Sequence, residues 1–160
     1  MKNDPFSLVL IFGGLALALG GGYMVYSGTR GLRNNNPGNI KYDGTAWQGL
    51  ANPPSDGTFC IFTDPTYGIR AMAVILQNYV AVDGVPATVS DLITRWAPPA
   101  ENNTAAYIAD VDGQLGLTPG NDAIDLSTAL PPLVAAMISH ENTINPYSAA
   151  TIAQGVSMAA

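Results

Sequence analysis

The run from Pro5 to Thr29 carries no charged side chain, and Phe6 to Tyr26 is almost wholly apolar. A helix needs about 20 such residues to cross the hydrocarbon core of a bilayer. Tyr23 and Tyr26 fall at the far end, where aromatic rings favour a membrane interface. The clusters Gly13-Gly14 and Gly20-Gly21-Gly22 weaken a helix in water but are tolerable in lipid, where they suit close helix packing. A cleaved signal peptide is the competing reading. Against it, Lys2 is offset by Asp4 and no small-x-small cleavage site precedes the polar chain. The expectation is an uncleaved anchor, residues 1–28, that is single-pass and meets the lipid bilayer through residues 6–26. Lys2 lies before it and Arg30, Arg33 and Lys41 after it, which favours placing the rest of the chain on the cytoplasmic side.

Beyond the anchor the chain shows no repeat and reads as one globular domain, residues 29–148, with a flexible tail, residues 149–160. A chain of 160 residues leaves that domain enough length to bury a core without staples. Only 6 Lys and Arg stand against 12 Asp and Glu. Phosphate recognition needs clustered cations, so no nucleic-acid partner is expected. The single cysteine, Cys60, cannot form an internal disulfide and reads as a small core residue in Thr58-Phe59-Cys60-Ile61-Phe62.

That pentapeptide and Gly38-Asn39-Ile40-Lys41-Tyr42 are the strand candidates, separated by a loop rich in Gly, Asn and Pro. Asp64 followed by Pro65 opens a helix to about Val82, with Ile69, Ala73, Leu76 and Val80 at helical spacing. Thr88 and Asp91 form a capping-box start for a helix over 89–96, which Pro98-Pro99 ends. A third helix begins near Asn103-Thr104 and stops at Gly116. A fourth runs from Pro131 to Glu141, with Leu133, Val134, Met137 and Ile138 on one side. The fold class is mainly α (α+β), with a short β-hairpin.

Chemistry-bearing residues are few. His140 has no histidine partner and there is no Cys/His cluster, so no metal and no cofactor are expected. Asp110-Val111-Asp112-Gly113 resembles the start of a calcium loop, but no acidic residue follows at the required spacing. No nucleophile elbow or phosphate-cradling glycine loop is present. Two glutamates remain, Glu101 and Glu141, both at element boundaries. A carboxyl at the end of a buried helix, facing a cleft, is half desolvated and holds its proton more readily. A solvated helix-end carboxylate is the plainer alternative.

Arg30-Gly31-Leu32-Arg33-Asn34-Asn35-Asn36-Pro37-Gly38-Asn39-Ile40, then Trp47-Gln48-Gly49, Arg95-Trp96-Ala97-Pro98-Pro99 and His140-Glu141-Asn142, resemble small phage and prophage proteins described as virion or lysozyme-like. The resemblance covers Arg30 to about Tyr147. Wall-cleaving glucosaminidases of the lysozyme superfamily carry a helix ending in a catalytic Glu. An Asn-x-x-Gly-Ile-Lys-like strand, a Trp-containing turn, an aromatic strand and a helix then follow. Asn36 to Lys41, Trp47, Phe59 to Phe62 and the helix from Asp64 are similar in order. The Glu-ending helix is displaced: its counterpart, Leu133 to Asn142, lies at the other end of the chain. The resemblance therefore implies a lysozyme-like domain in circularly permuted order, with Glu141 in the catalytic position.

It further implies a peptidoglycan glycosidase, either a lytic transglycosylase or a hydrolase of muramidase or glucosaminidase type, opening the bacterial wall as a phage enters the cell. Glu141 would be the general acid. A hydrolase would add a second carboxylate from Glu101, Asp43 or Asp56. Tyr42, Trp47, Tyr107 and Tyr147 would stack on sugar rings, and Asn35, Asn36 and Asn39 would bond sugar amides; Asn34 is a further candidate. Arg33 and Arg70 would pair with acids or order the turn. The partners would be peptidoglycan glycan strands and other virion membrane proteins, in a virion membrane or the host inner membrane. The alternative is a non-catalytic virion or membrane structural protein that keeps the lysozyme-like shape.

Overall fold

A computed structural model describes residues 28–159. Helix α1 is Arg30–Arg33, the strands are β1 Leu50–Ser55 and β2 Cys60–Phe62, and four helices follow: α2 Pro65–Ala81, α3 Val89–Trp96, α4 Thr104–Leu115 and α5 Leu126–Asn142. A last helix, α6, spans Ala149–Ser157.

Local chemistry sets most helix ends. Asp64 accepts a hydrogen bond from the Thr66 amide at 2.9 Å, and Pro65 at the first turn needs no donor of its own. Thr88 accepts from the Asp91 amide at 3.0 Å while its hydroxyl donates to the Asp91 carboxylate at 2.6 Å. Gly116 closes α4 with φ +69°, a left-handed conformation that glycine adopts without steric cost.

The core lies between α2 and α5. Ile69, Met72 and Leu76 of α2 meet Leu133, Val134, Met137 and Ile138 of α5, all fully buried, and α3 adds Leu92 and Ile93. Each such side chain contributes about 1.5–3 kcal/mol by leaving water. Helix α6 packs along α2, and α4 packs between α3 and α5. The two strands pair antiparallel, Leu50 opposite Phe62 and Ser55 opposite Cys60, with an irregular register between. Cys60, the first residue of β2, is fully buried.

Several expectations are corrected. Among the described residues no helix is long and apolar enough to cross a membrane. The longest, α2 and α5, have 17 residues each. The single-pass architecture and the membrane localisation are corrected to this extent: no described helix spans a bilayer, and the run 6–26, to which the span was assigned, lies outside the described residues. The fold class of the described part is helical with one small two-stranded sheet. Gly38 to Tyr42 does not form a strand, because Asn39 takes φ +49°; only Lys41 bridges to Phe59. The strand partner is instead Leu50–Ser55, a polar, proline-containing edge segment. Helix α5 starts at the Asp125 cap, ahead of Pro131, so both prolines lie inside it. The tail expected to be flexible is α6, because Gly155 lets it seat against Ile69: a Cβ there would fall 2.5 Å from that side chain.

Candidate active site

Glu141 is the penultimate residue of α5, just before the chain turns through Thr143 at φ +67°. The apolar residues of α5 hold this end in place, and Asn142, 1% exposed, fixes it to the start of the domain. The Asn142 amide donates to the Pro37 carbonyl at 2.8 Å and to the Ile138 carbonyl at 3.0 Å, and its oxygen accepts from the Thr29 hydroxyl.

The Pro37 turn is itself rigid. Asn36 is fully buried; its amide donates to the carbonyls of Ile40 at 2.9 Å and Cys60 at 3.0 Å, and its oxygen accepts from the Ile40 amide at 3.0 Å. A buried amide satisfied in this way is a structural peg. Gly31 makes room for it: a Cβ there would lie 2.7 Å from the Asn39 oxygen and 2.8 Å from the Asn36 carbonyl.

Three donors from three parts of the chain converge on Glu141. Asn39 Nδ2 lies 2.9 Å from Oε2, Trp96 Nε1 lies 3.2 Å from Oε1, and the Tyr107 hydroxyl lies 3.0 Å from the same Oε1. All three donors are neutral, and Glu141 itself is half-buried. Burial, with the neighbouring Glu141 charge second, pushes the Tyr107 hydroxyl well above its ordinary range, so it stays protonated and donates. The Tyr107 ring stacks on His140 at 3.7 Å between centroids, and His140 Nδ1 sits 2.8 Å from Asp110 Oδ2.

The other expected site residues divide. Asn39 is at the site. Tyr107 is there too, but 3% exposed and covered by His140, so it bonds Glu141 and offers no free face to a sugar ring. Asn36 is a peg, and Asn35 donates to the Phe62 carbonyl at 2.9 Å; neither points to a ligand. Glu101 is exposed and pairs with Lys41 at 3.5 Å. Asp56 is held by Arg30 through two bonds at 2.6 and 2.7 Å and by Asn34 at 2.7 Å. Asp43 turns back to the Thr45 amide at 2.9 Å. Tyr42 is 37% exposed beside the sheet, and Trp47 is half-buried at the core edge. Tyr147 lines a separate groove with Leu32, Arg33, Asn35 and Pro146. Arg33 and Arg70 order main chain, donating to the carbonyls of Gly28 and Met158.

Trp96 was missed as a site residue, although it stands in the Arg95 to Pro99 motif. Gly38 lets it approach, since a Cβ there would fall 3.0 Å from its ring.

No protein-family model matches the sequence. Protein P5 of Pseudoalteromonas phage PM2 is 42% identical over 129 residues, 79% of this chain and 79% of that protein. The chain belongs to the Protein P5 family. Its affiliation is therefore with a bacteriophage protein, as the Arg30 to Ile40 motif led us to expect. Within this family member, the residues around Glu141 are the densest meeting of polar side chains from distant parts of the described chain.

Proposed function

We propose that this Protein P5 relative is a virion-associated peptidoglycan glycosidase in which Glu141 is the general acid. The observation that carries the reading is the half-buried Glu141 carboxyl, held by three neutral donors and paired with no cation among the described residues. A carboxyl partly exposed at a helix end, with no fixed cation paired to it, is free to meet a substrate oxygen. Its position at the end of an apolar helix, beside the Asn36 to Lys41 turn, agrees with the permuted lysozyme-like order.

The remaining acids bear on the reaction type. Two-carboxylate hydrolysis places the groups about 5–9.5 Å apart across the sugar bond. Asp56 is tied to Arg30, Asp43 to its own turn, Glu101 to Lys41 and Asp110 to His140. Single-acid chemistry of the lytic transglycosylase kind is therefore favoured. Glu141 gives its proton to the glycosidic oxygen as that bond breaks. A hydroxyl of the same sugar then attacks the anomeric carbon and returns its proton to Glu141. Asn39, Trp96 and Tyr107 hold the carboxyl in place through both steps.

The same three bonds favour a second reading, in which Glu141 joins the Asn39 turn, α3 and α4 and the protein is a non-catalytic virion component. Purified peptidoglycan treated with the full-length chain separates the two. Released fragments with anhydro ends support the transglycosylase, and reducing ends support a hydrolase. Intact glycan from walls of the natural host leaves the structural reading.

A further inference from the structure

The connection between α4 and α5 encloses two carboxylates that the candidate site does not use. Asp112, on α4, is 1% exposed, and neither of its carboxylate oxygens has a hydrogen-bond partner. Asp122, 5% exposed, anchors the start of α3: its Oδ2 accepts from the Ser90 amide at 2.7 Å and its carbonyl accepts from the Val89 amide at 3.0 Å. Burial, and after it the charge of Asp122, push the Asp112 carboxyl above its usual range. Burial works against Asp122 as well, but hydrogen bonds from Ser90 outweigh it and hold that carboxyl low.

No side-chain cation among the described residues compensates the pair. Arg30, Lys41, Arg95 and His140 are engaged with Asp56, Glu101, Asp83 and Asp110, and Arg33 and Arg70 donate to main-chain carbonyls. Buried polar atoms are nearly always satisfied, and a buried carboxyl without a partner is met by a proton, a water or a cation from outside the chain; of these only a cation would also serve the Asp122 charge that acts on it.

We propose that Asp112 and Asp122 bind a hard divalent cation, Ca²⁺ by preference. The offered ligands are carboxylate oxygens without nitrogen or sulfur, which suits calcium or magnesium rather than zinc or copper. Among the described residues no three His, Cys, Asp or Glu side chains converge. Water and main-chain oxygens therefore complete the shell, and calcium tolerates that irregularity better than magnesium does. Asp110 takes no part, being engaged with His140. The ion ties α4 and the chain before α5 to the start of α3. The Ile124 amide reinforces the same junction by donating to the Ala87 carbonyl at 2.9 Å.

The test is thermal unfolding of the full-length chain by circular dichroism, in chelator and in about 5 mM CaCl₂, a concentration suited to a weak site. MgCl₂ and NaCl of equal ionic strength serve as comparators. Calcium is expected to raise the wild-type Tm by about 3–6 °C, as ligand binding to the folded state alone requires, with NaCl inert. Asp112→Asn is expected to lose that response and, in chelator, to unfold no earlier than wild type, because the orphaned charge is gone. Calorimetric titration of wild type with CaCl₂ provides a check independent of the variant's folding and is expected to show one saturable site. An unchanged Tm with no saturable heat overturns the proposal, as does an equal calcium response in Asp112→Asn.

Discussion

The indole nitrogen of Trp96 lies 3.2 Å from Glu141 Oε1, although 45 residues separate them in the chain. The bond joins the end of α3 to the end of α5. It makes Trp96 part of whatever Glu141 does, by a contact that Phe at the same position would lose while keeping most of the ring.

Trp96→Phe should therefore destabilise the fold by about 0.5–1.5 kcal/mol, the worth of a typical intramolecular hydrogen bond. Urea denaturation followed by circular dichroism measures it. A change under a few tenths of a kcal/mol would mean that water replaces the indole and the contact holds nothing.

For Glu141→Gln the glycosidase reading and the structural reading diverge. The amide keeps the shape, so a catalytic Glu141 predicts a folded protein whose wall cleavage falls by about 10²–10⁴-fold. Clearing of peptidoglycan suspensions gives the rate and a melting curve gives the fold. Cleavage at the wild-type rate would remove Glu141 from the reaction.

Gly68→Ala should be severe. Its Cβ would lie 2.1 Å from the Asn35 carbonyl oxygen, a main-chain atom that cannot turn aside. Overpacking of this kind costs about 1–3 kcal/mol and here exceeds the roughly 1 kcal/mol that alanine gains in a helix. A Tm equal to or above wild type would show that the Asn35 turn yields.

Acid should weaken the protein through Asp56. The hydrogen bond from Arg30 foremost, joined by those of Phe59, Asn34 and Thr58, outweighs the opposing effect of burial and holds its carboxyl far below the usual range. A carboxyl with a depressed folded pKa contributes stability that is fully present above its unfolded value, about 3.9, and is lost as pH falls below it. Tm measured from pH 7 to pH 2 should drop below about pH 4, and Asp56→Asn should flatten that drop. Parallel curves for the two proteins would assign the acid sensitivity elsewhere.

Much of the helical frame was legible because its signals are local. Asp64 with Pro65, Thr88 with Asp91, and Gly116 each act within one turn, so α2, α3 and α4 stand where their caps place them. Pro131 misled because proline favours a first turn, whereas here the Asp125 cap begins the helix earlier. Helix α6 was obscured by its small, uncharged residues, which suit close packing on α2 yet also resemble a loose tail. At the site, Glu141 and Asn39 could be read from the motifs. The difference between Asn36 as a buried peg and Asn39 as a Glu141 donor could not, since it depends on φ and burial set by distant segments. Tyr107 followed the same rule: its ring looked like a sugar platform until His140 covered it.

The bond from the Thr29 hydroxyl to Asn142 spans 113 residues and brings the start of the domain to the end of its central helix. The path from Thr29 to Asn142 is thus nearly a closed ring, a geometry in which the segments could be joined in a rotated order. Here the acid-bearing helix comes late, followed by α6; a cut before α5 would put it first. Two genes could then encode the same packed body with their segments in rotated order, and an alignment read from end to end would pass over their kinship.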